Sequence, residues 1–544
     1  LGAIFTRRWV VDLILNLAGY TADRNLVETL AIEPSCGDGV FVVAMAERLV
    51  TSCRRQGRPL LDCTSSLIAF DVDPRAVRQA TETVLAALRA MGVPDEESCQ
   101  LAASWIRTGD YLCQAPTLPP ADFVLGNPPY VRIEDVPEHQ MSVYRSAYPT
   151  MRGRADLYVG FFEAALRALK QDGVCAFICA DRWMRNQYGG ELRRLITEGG
   201  FRVELILEMH KAAAFEDEVS AYPAITLLRR SSTKLPTVVA QWTGECEPTD
   251  IAAFTRALCT ASAITPGMSV SRVEPWFCGD EPWPQCSPKR LELLRYLEAN
   301  FSSLESLETG TKVGIGVATG ADKVYIVDRQ TLSTEDQALV EPNCLLPLAM
   351  ASDLKDGSAT VTSTAHFLVN PWPALEEGGL ARFPKLQAYL RPHELTLRSR
   401  YVGKKDPTRW YRTIDRVDAS LTARPKLYLP DIKDRIAPVL DPGTTYPHHN
   451  LYVITSEEWN LEVLGGLLLS DIAQLFVESY SVRMRGGYLR FQAQYLRRIR
   501  VPKPETISAV DQADLITAFR SRDIQKATSI ALRLYGLSFA QLPL

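Results

Sequence analysis

Asp122-Phe123-Val124-Leu125-Gly126-Asn127-Pro128-Pro129-Tyr130 is an apolar run that stops at a polar residue and two prolines. The apolar residues after Asp122 read as a buried strand, and proline, which lacks an N–H and fixes φ, ends it. Asn127 and the carbonyl of Pro128 then stand at the tip of a strand as a rigid pair of acceptors. Such a pair can take both hydrogens of an aromatic amine and draw the nitrogen lone pair out of conjugation. No strong base is at hand, so the chemistry that suits the loop is positional and electrostatic. Tyr130 adds a ring face on which a base can stack. The plainer reading, a Pro-Pro strand stop without function, has to be weighed against what lies upstream.

Working outward, the first 230 residues alternate short apolar runs with helical patterns, which predicts an α/β sheet. Strands are expected at Thr29–Glu33, Leu67–Phe70, Asp122–Gly126, Gly173–Cys179, Val203–Glu208 and Ala224–Leu228. Helices are expected at Val40–Arg55, Pro74–Met91, Asp156–Leu169 and Glu191–Glu198. Ser231 to Pro288 holds many prolines and tryptophans with poor periodicity and reads as a connector with a few strands. A helix over Lys289–Asn300 follows, then a second domain of short strands opening at Gly310. A long apolar helix over Leu461–Ser479 and a helical last forty residues complete the pattern. The expected divisions are 1–235, catalytic; 236–300, connector; 301–505, recognition; and 506–544, a helical end.

Glu33-Pro34-Ser35-Cys36-Gly37-Asp38-Gly39 follows the first strand and opens a helix. Its glycines let the backbone turn sharply and approach a ligand. The spacing is not G-x-G-x-x-G, so a dinucleotide is not the natural ligand, and a purely structural turn stays open on this stretch alone. The second strand ends in Asp71-Val72-Asp73-Pro74. An acid there can accept both ribose hydroxyls of an adenosine-containing ligand, a role assigned to Asp71. Asp73, just before Pro74, reads as a helix N-cap. Asp110, after a third short strand, is placed to accept from the ligand's adenine amine, with a turn aspartate as the plainer reading. Three acidic strand tips suit an adenosine ligand carrying a sulfonium. A phosphate would call for lysine and bare backbone amides.

The 544 residues exceed one compact core. No apolar run approaches the roughly 18 residues of a membrane span, and no secretory signal opens the chain. Twelve cysteines without a C-x-x-C pair predict no disulfide framework and no zinc pattern, hence a reducing cytoplasm. His448-His449 is the one histidine cluster, and no metal is expected. The net charge of −4 averages over faces, and local runs matter more. Arg391 to Arg416 carries eight Lys/Arg against three acids, and Ser481 to Pro504 carries seven and no acid.

In this order the motifs resemble the gamma-class, Taq-type N6-adenine DNA methyltransferases of restriction–modification systems, over nearly the whole chain. The resemblance implies a class I S-adenosylmethionine-dependent methyltransferase fold: a Rossmann-like mixed sheet with helices on both faces, plus a C-terminal α+β target-recognition domain. Gly2-Ala3-Ile4-Phe5-Thr6 matches the family's G-x-F/Y-T, which makes Thr6 a contact for the methionine end of S-adenosyl-L-methionine. Glu33 to Gly39 matches D/E-P-x-C-G-x-G. That adds Glu33, Pro34, Cys36 and Gly37 to a cofactor site with Asp71, Val72, Asp110 and Asn127. Asn127, Pro128 and Tyr130 are then catalytic, and members sandwich a flipped adenine between the loop tyrosine and a downstream phenylalanine. Phe215, in Ala214-Phe215-Glu216-Asp217-Glu218-Val219-Ser220, is the matching residue, and a core phenylalanine is an equal reading. Arg154-Ala155-Asp156-Leu157-Tyr158 resembles the next motif, a helix start lining the cofactor pocket. Asp156 reads equally as an N-cap.

Chemistry on a base within a duplex requires its extrusion, and the second half is expected to supply the DNA contacts. Gly316 to Tyr325 and Met484-Arg485-Gly486-Gly487-Tyr488-Leu489-Arg490-Phe491-Gln492 resemble the start and end of the family's recognition domain. Lys404, Lys405, Arg412, Arg485 and Arg490 are the candidate phosphate contacts, with Trp410 and Tyr411 as neighbouring aromatics. A solvated basic surface is the plainer reading. The site begins at residue 2, so no nuclease is expected ahead of it, and a cognate restriction endonuclease is expected on a separate chain. The expected partner is double-stranded DNA, with no membrane. The same loop also occurs in methyltransferases acting on RNA or on protein glutamine. A non-catalytic DNA-binding specificity subunit is the rival of another class.

Overall fold

The computed structural model describes residues 4–210, 212–216, 222–244, 248–262, 267–284, 288–330, 339–354, 357–362, 364–481 and 488–542. The chain divides into two compact units, Leu1–Pro288 and Lys289–Leu544.

Runs of apolar residues flanked by turns make the nine strands of the first unit. They are β1 (Ala31–Glu33), β2 (Leu67–Asp71), β3 (Ile106–Thr108), β4 (Ala121–Gly126), β5 (Leu169–Ala180), β6 (Phe201–Glu208), β7 (Pro223–Arg230), β8 (Thr237–Trp242) and β9 (Met268–Val273). Their order in one sheet is β3-β2-β1-β4-β5-β7-β6-β8-β9. β1 to β5 pair in parallel, and β7 inserts antiparallel between β5 and β6. Helices α1 (Arg8–Ala18), α2 (Val40–Arg55), α3 (Pro74–Ala90), α4 (Asp95–Trp105), α5 (Tyr111–Gln114), α6 (Glu138–Ala147), α7 (Leu157–Ala168), α8 (Gly190–Glu198) and α9 (Ile251–Thr260) connect them.

Both faces of this sheet are covered, which is why its central strands read as unbroken apolar runs. Along β4 the side chains alternate: Phe123 and Leu125 enter one core with α1 and α2, and Val124 enters the other with α7 and α8. β5 does the same, with Ala176 and Ile178 on one face and Cys175 and Phe177 on the other. The chain runs outward from β1 to β3 and returns to β4, so the order reverses between β1 and β4. At such a switch point the loops at the carboxyl ends of the strands part and leave a crevice. The Glu33–Gly39 turn and the Asn127–Tyr130 loop leave those two strand ends.

The stretch expected as a connector with a few strands, 236–300, holds two strands that extend the first unit's sheet. β8 pairs parallel to β6 and β9 closes the edge antiparallel. Phe254, Ala257 and Leu258 of α9 join the core around α1. Trp283 packs on Trp183 with ring centroids 5.1 Å apart. The Pro288–Asn300 helix begins where the second unit does. Short strands around one helix leave little period to read, and Trp242, Phe254 and Trp283 of this stretch are buried in the core.

The second unit holds two four-stranded sheets. One is antiparallel, in the order Thr311–Ile315, Leu451–Ser456, Lys426–Pro430, Val439–Asp441. The other orders Ile326–Asp328, His366–Val369, Leu345–Ala349 and Tyr446–Pro447. Under the first sheet Lys426 and Asp441 form a fully buried ion pair, Nζ to Oδ2 2.7 Å. The Lys426 ammonium also donates to the carbonyls of Leu421, Thr422 and Arg424.

The long helix expected over Leu461–Ser479 is two helices, Leu461–Leu469 and Asp471–Tyr480. Ser470 between them is extended, φ −70° and ψ 159°. Its hydroxyl donates to Leu467 O at 2.6 Å, and the Asp471 N–H is taken by Thr528 Oγ1 at 2.9 Å. A tertiary contact therefore sets the break. The C-terminal residues form helices Ala509–Ser521 and Ile524–Leu534, whose Ala518 and Ala527 pack on Leu469. No helix among the described residues is long and apolar enough to cross a membrane.

Candidate active site

Asn127 lies at the carboxyl end of β4. Its Nδ2 donates to Ile4 O at 2.9 Å and to Thr6 Oγ1 at 3.1 Å. A backbone carbonyl can only accept, so the amino half of the amide faces residues 4–6 and Oδ1 faces the other way. Asn127 Oδ1 is buried without a partner. Ser35 Oγ fixes the loop from below by donating to Asn127 O at 2.9 Å. Among the described residues no donor reaches the Pro128 carbonyl. The two acceptors read from the sequence are thus held rigid and left unsatisfied. A buried unpartnered acceptor costs about 1–3 kcal/mol, and a ligand donor is one partner that would satisfy it.

Thr6, expected at the cofactor, is buried, and its Oγ1 accepts from Asn127 Nδ2, which leaves the hydroxyl's own hydrogen to donate. Its backbone bridges antiparallel to Phe215, and Arg7 Nε donates to Phe215 O at 2.9 Å. The N-terminal motif, the β4 loop and the Phe215 segment are therefore one hydrogen-bonded assembly. Phe215 is 7% exposed and meets Tyr130 edge to face, centroids 6.2 Å apart at 81°. Tyr158 lies 6.4 Å from the Tyr130 ring. Residues 217–220 of the quoted segment lie outside the described residues.

Around the β1–α2 turn, Gly37 has φ +52° and Gly39 φ +94°. A Cβ on Gly39 would lie 2.8 Å from Ala80 Cα, so this glycine lets α2 pack on α3. Asp71 at the end of β2 accepts from Gly37 N at 3.0 Å and Asp73 N at 2.9 Å, which ties the two strand tips together. Each of its oxygens keeps a further lone pair. Val72 beside it is 65% exposed, an uncovered apolar side chain at the crevice. Asp73 caps α3 by accepting from Arg75 N, and the Arg75 guanidinium holds its carboxyl down at about 2.

Glu33 is wholly buried, and a Cβ on Gly126 would collide with its Oε1. Ser35 N donates to that oxygen at 3.2 Å, and Oε2 is buried without a partner. Burial, reinforced by Asp71 and Asp38, pushes the carboxyl well above the usual range. Pro34 is buried beside it, and burial likewise raises the Cys36 thiol, whose N–H donates to Phe70 O.

Asp110 is more crowded than its sequence context suggests. Oδ1 caps α5 through Leu112 N at 3.0 Å, and Oδ2 accepts from the Tyr144 hydroxyl at 2.6 Å and Gln140 Nε2 at 3.3 Å. One lone-pair site on Oδ1 remains for a ligand amine. Tyr144 and Gln140, thirty or more positions away on α6, gave no local signal. Asp156 makes no capping bond to α7. It accepts from Tyr188 Oη at 3.4 Å, and Tyr188 shares a 2.6 Å contact with Tyr158.

Asp181, at the end of β5, is a further buried acid the sequence reading missed. Arg185 pairs with its Oδ2, and His210 Nε2 lies 2.9 Å away. Burial opposes its ionisation, yet Arg185 and His210 together hold its carboxyl below the usual range. Asp181 Oδ1 is unpartnered.

In the second unit Lys404 and Lys405 end an exposed helix, Tyr401–Lys405, with Lys405 Nζ 6.0 Å from the Tyr401 ring centre. Arg412 is half-buried. Arg490 is exposed and pairs with Asp431 at 3.4 Å. Arg485 lies outside the described residues. Trp410 and Tyr411 are not a stacking platform: at 8% and 5% exposure both belong to the core. Arg400 is internal too, donating to the carbonyls of Thr319, Trp410 and Arg412. Part of the basic run thus braces the fold.

Residues 121–215 match the family model described as Eco57I restriction-modification methylase, and residues 389–501 match the TaqI-like C-terminal specificity domain. The chain is 41% identical to the type II methyltransferase M.PaeR7I of Pseudomonas aeruginosa, over 99% of this chain and 92% of that protein. It is also 41% identical to the type II methyltransferase M.XhoI of Xanthomonas vasicola, over 99% and 98%. In fold it resembles the type IIL restriction–modification enzyme MmeI, whose structure was determined in complex with DNA. The TM-score is 0.60 at 11% identity, covering 97% of this chain and 74% of that one. With 41% identity to these two methyltransferases over 99% of its length, the chain belongs to the type II methyltransferases of restriction–modification systems.

Proposed function

We propose that this methyltransferase transfers a methyl group from S-adenosyl-L-methionine to the exocyclic N6 of one adenine in a specific duplex DNA sequence, with the base turned out of the stack. The observation that carries the reading is the Asn127 amide, with Nδ2 fixed by Ile4 and Thr6 and Oδ1 buried and open.

The first unit's own residues suit the cofactor. Asp71 has spare lone pairs for ribose hydroxyls, Val72 offers an apolar face for an adenine ring, and Glu33 keeps an unpartnered oxygen for a cationic group. When bound, the cofactor supplies an electrophilic methyl on a sulfonium. Asn127 Oδ1 and the Pro128 carbonyl accept the two amine hydrogens, which localises the lone pair on nitrogen and lowers the barrier without a strong base. Tyr130 and Phe215 are the ring faces for the base. Two parallel stacking contacts need about 7 Å between rings, so at 6.2 Å and 81° one ring has to turn as the base enters.

Lys404, Lys405, Arg412, Arg485 and Arg490 are proposed phosphate contacts, and the divisions of labour follow the two units. A separate endonuclease chain and a cytoplasmic location go with this reading.

Purified protein incubated with plasmid DNA and methyl-labelled cofactor should label DNA, and the nucleoside digest should contain N6-methyladenine. Asn127→Ala should abolish the label while cofactor binding persists. Label in RNA or protein in place of DNA would overturn the reading.

A further inference from the structure

We infer that Asp322, His448 and His449 form a binding site for a divalent transition-metal ion, zinc by ligand chemistry, between the two sheets of the second unit. One ligand atom from each residue lies within 4.8 Å of the others. Two imidazoles and one carboxylate are the ligand types zinc takes, with a fourth position open to water.

The spacing favours a shared ion over a hydrogen bond. His448 Nε2 and Asp322 Oδ2 are 3.4 Å apart. A charge-assisted hydrogen bond draws such atoms to about 2.7–2.9 Å. Two ligands on a tetrahedral ion with bonds of about 2.0–2.1 Å stand about 3.3–3.4 Å apart. His448 is 3% exposed, and its Nδ1 is buried without a hydrogen bond of good geometry. The two imidazole rings are neighbours, centroids 4.0 Å apart and tilted by 57°.

All three residues are held from behind. His448 N donates to Ala349 O and His449 N to Val317 O, each at 3.0 Å. Thr319 Oγ1 donates to Asp322 Oδ1 at 2.5 Å, which turns Oδ2 toward His448. Among the described residues no lysine or arginine pairs with Asp322. A second grouping, Asp181, Glu208 and His210, already holds the Arg185 guanidinium, so its cation is built in. The exposed Asp322 and His449 give an ion access from solvent. The histidines lie between strands Tyr446–Pro447 and Leu451–Ser456, one from each sheet, so the ion would join them.

The test uses the full chain, stripped on a chelating resin and titrated with Zn²⁺ by calorimetry, with Co²⁺ as a visible-spectrum stand-in. One equivalent should bind with Kd below about 10 µM. His449→Ala and Asp322→Ala, both at exposed positions, should each weaken binding at least ~10-fold. Zn²⁺ should raise the melting temperature of the parent chain and not of the variants. Bound Co²⁺ should show tetrahedral bands without thiolate charge transfer. No binding at about 100 µM Zn²⁺, thiolate bands, or unchanged affinity in both variants would overturn the site.

Discussion

Asn127 and Thr6 stand 121 positions apart, and their 3.1 Å contact joins the Ile4 carbonyl in holding the Asn127 amide, whose orientation the carbonyl sets. Thr6→Val keeps the shape and removes the acceptor. The loss of one hydrogen bond, about 1–1.5 kcal/mol, should lower the methylation rate roughly 10-fold in single-turnover assays, with cofactor Kd unchanged. A loss confined to cofactor affinity would favour the direct contact expected from its motif. Glu33 makes a separate prediction through pH. Its folded value lies above the unfolded one, so the stability it contributes is complete at low pH. That stability drains as pH rises from about 4.3 toward the folded value, by about 1.4 kcal/mol per pH unit. Glu33→Gln should therefore melt higher than the parent at pH 8 without cofactor, the gap closing near pH 5. Identical melting profiles would mean the carboxyl is ionised in the fold. The motif residues were legible because strand tips follow one another in chain order. Their partners, Ile4 on Asn127 or Tyr144 on Asp110, come from distant turns that no spacing encodes.

At the level of elements, the β1–α2 turn is a tight joint of the first unit. Gly39→Ala combines a left-handed backbone, about 1–2 kcal/mol, with a Cβ 2.8 Å from Ala80 Cα. Thermal melting should show a loss at or above the upper end of that range, and an unchanged midpoint would mean that α3 yields freely. The sheet's centre was readable from sequence because strands buried on both faces carry little but apolar residues. β8 and β9 were not placed, since both are short, β9 lies at the sheet's edge, and a helix interrupts the pattern between them. A fragment ending at residue 235 would expose the β6 edge and lose the α9 packing. It should aggregate where one ending at Pro288 stays monodisperse in size-exclusion chromatography. Equal behaviour of the two would detach β8 and β9 from the fold. The break at Ser470 escaped notice for a similar reason: Thr528, 58 residues on, holds it.

The whole molecule pairs a methyl-transfer sheet with a second unit whose interior includes the fully buried Lys426–Asp441 ion pair. Lys426→Met strands the Asp441 carboxylate and should cost about 3–5 kcal/mol. Calorimetry should show the second unit's transition fall by roughly 10 °C while the first unit's stays. The central claim, that the open Asn127 acceptor serves one adenine amine in a chosen DNA sequence, is tested most directly in cells. DNA from cells expressing the protein should be sequenced as single molecules with base modifications read along each strand. The account predicts N6-methyladenine at every copy of one short sequence, absent with Asn127→Ala. Modified cytosine, or DNA without added modification while RNA or protein gains methyl groups, would contradict it.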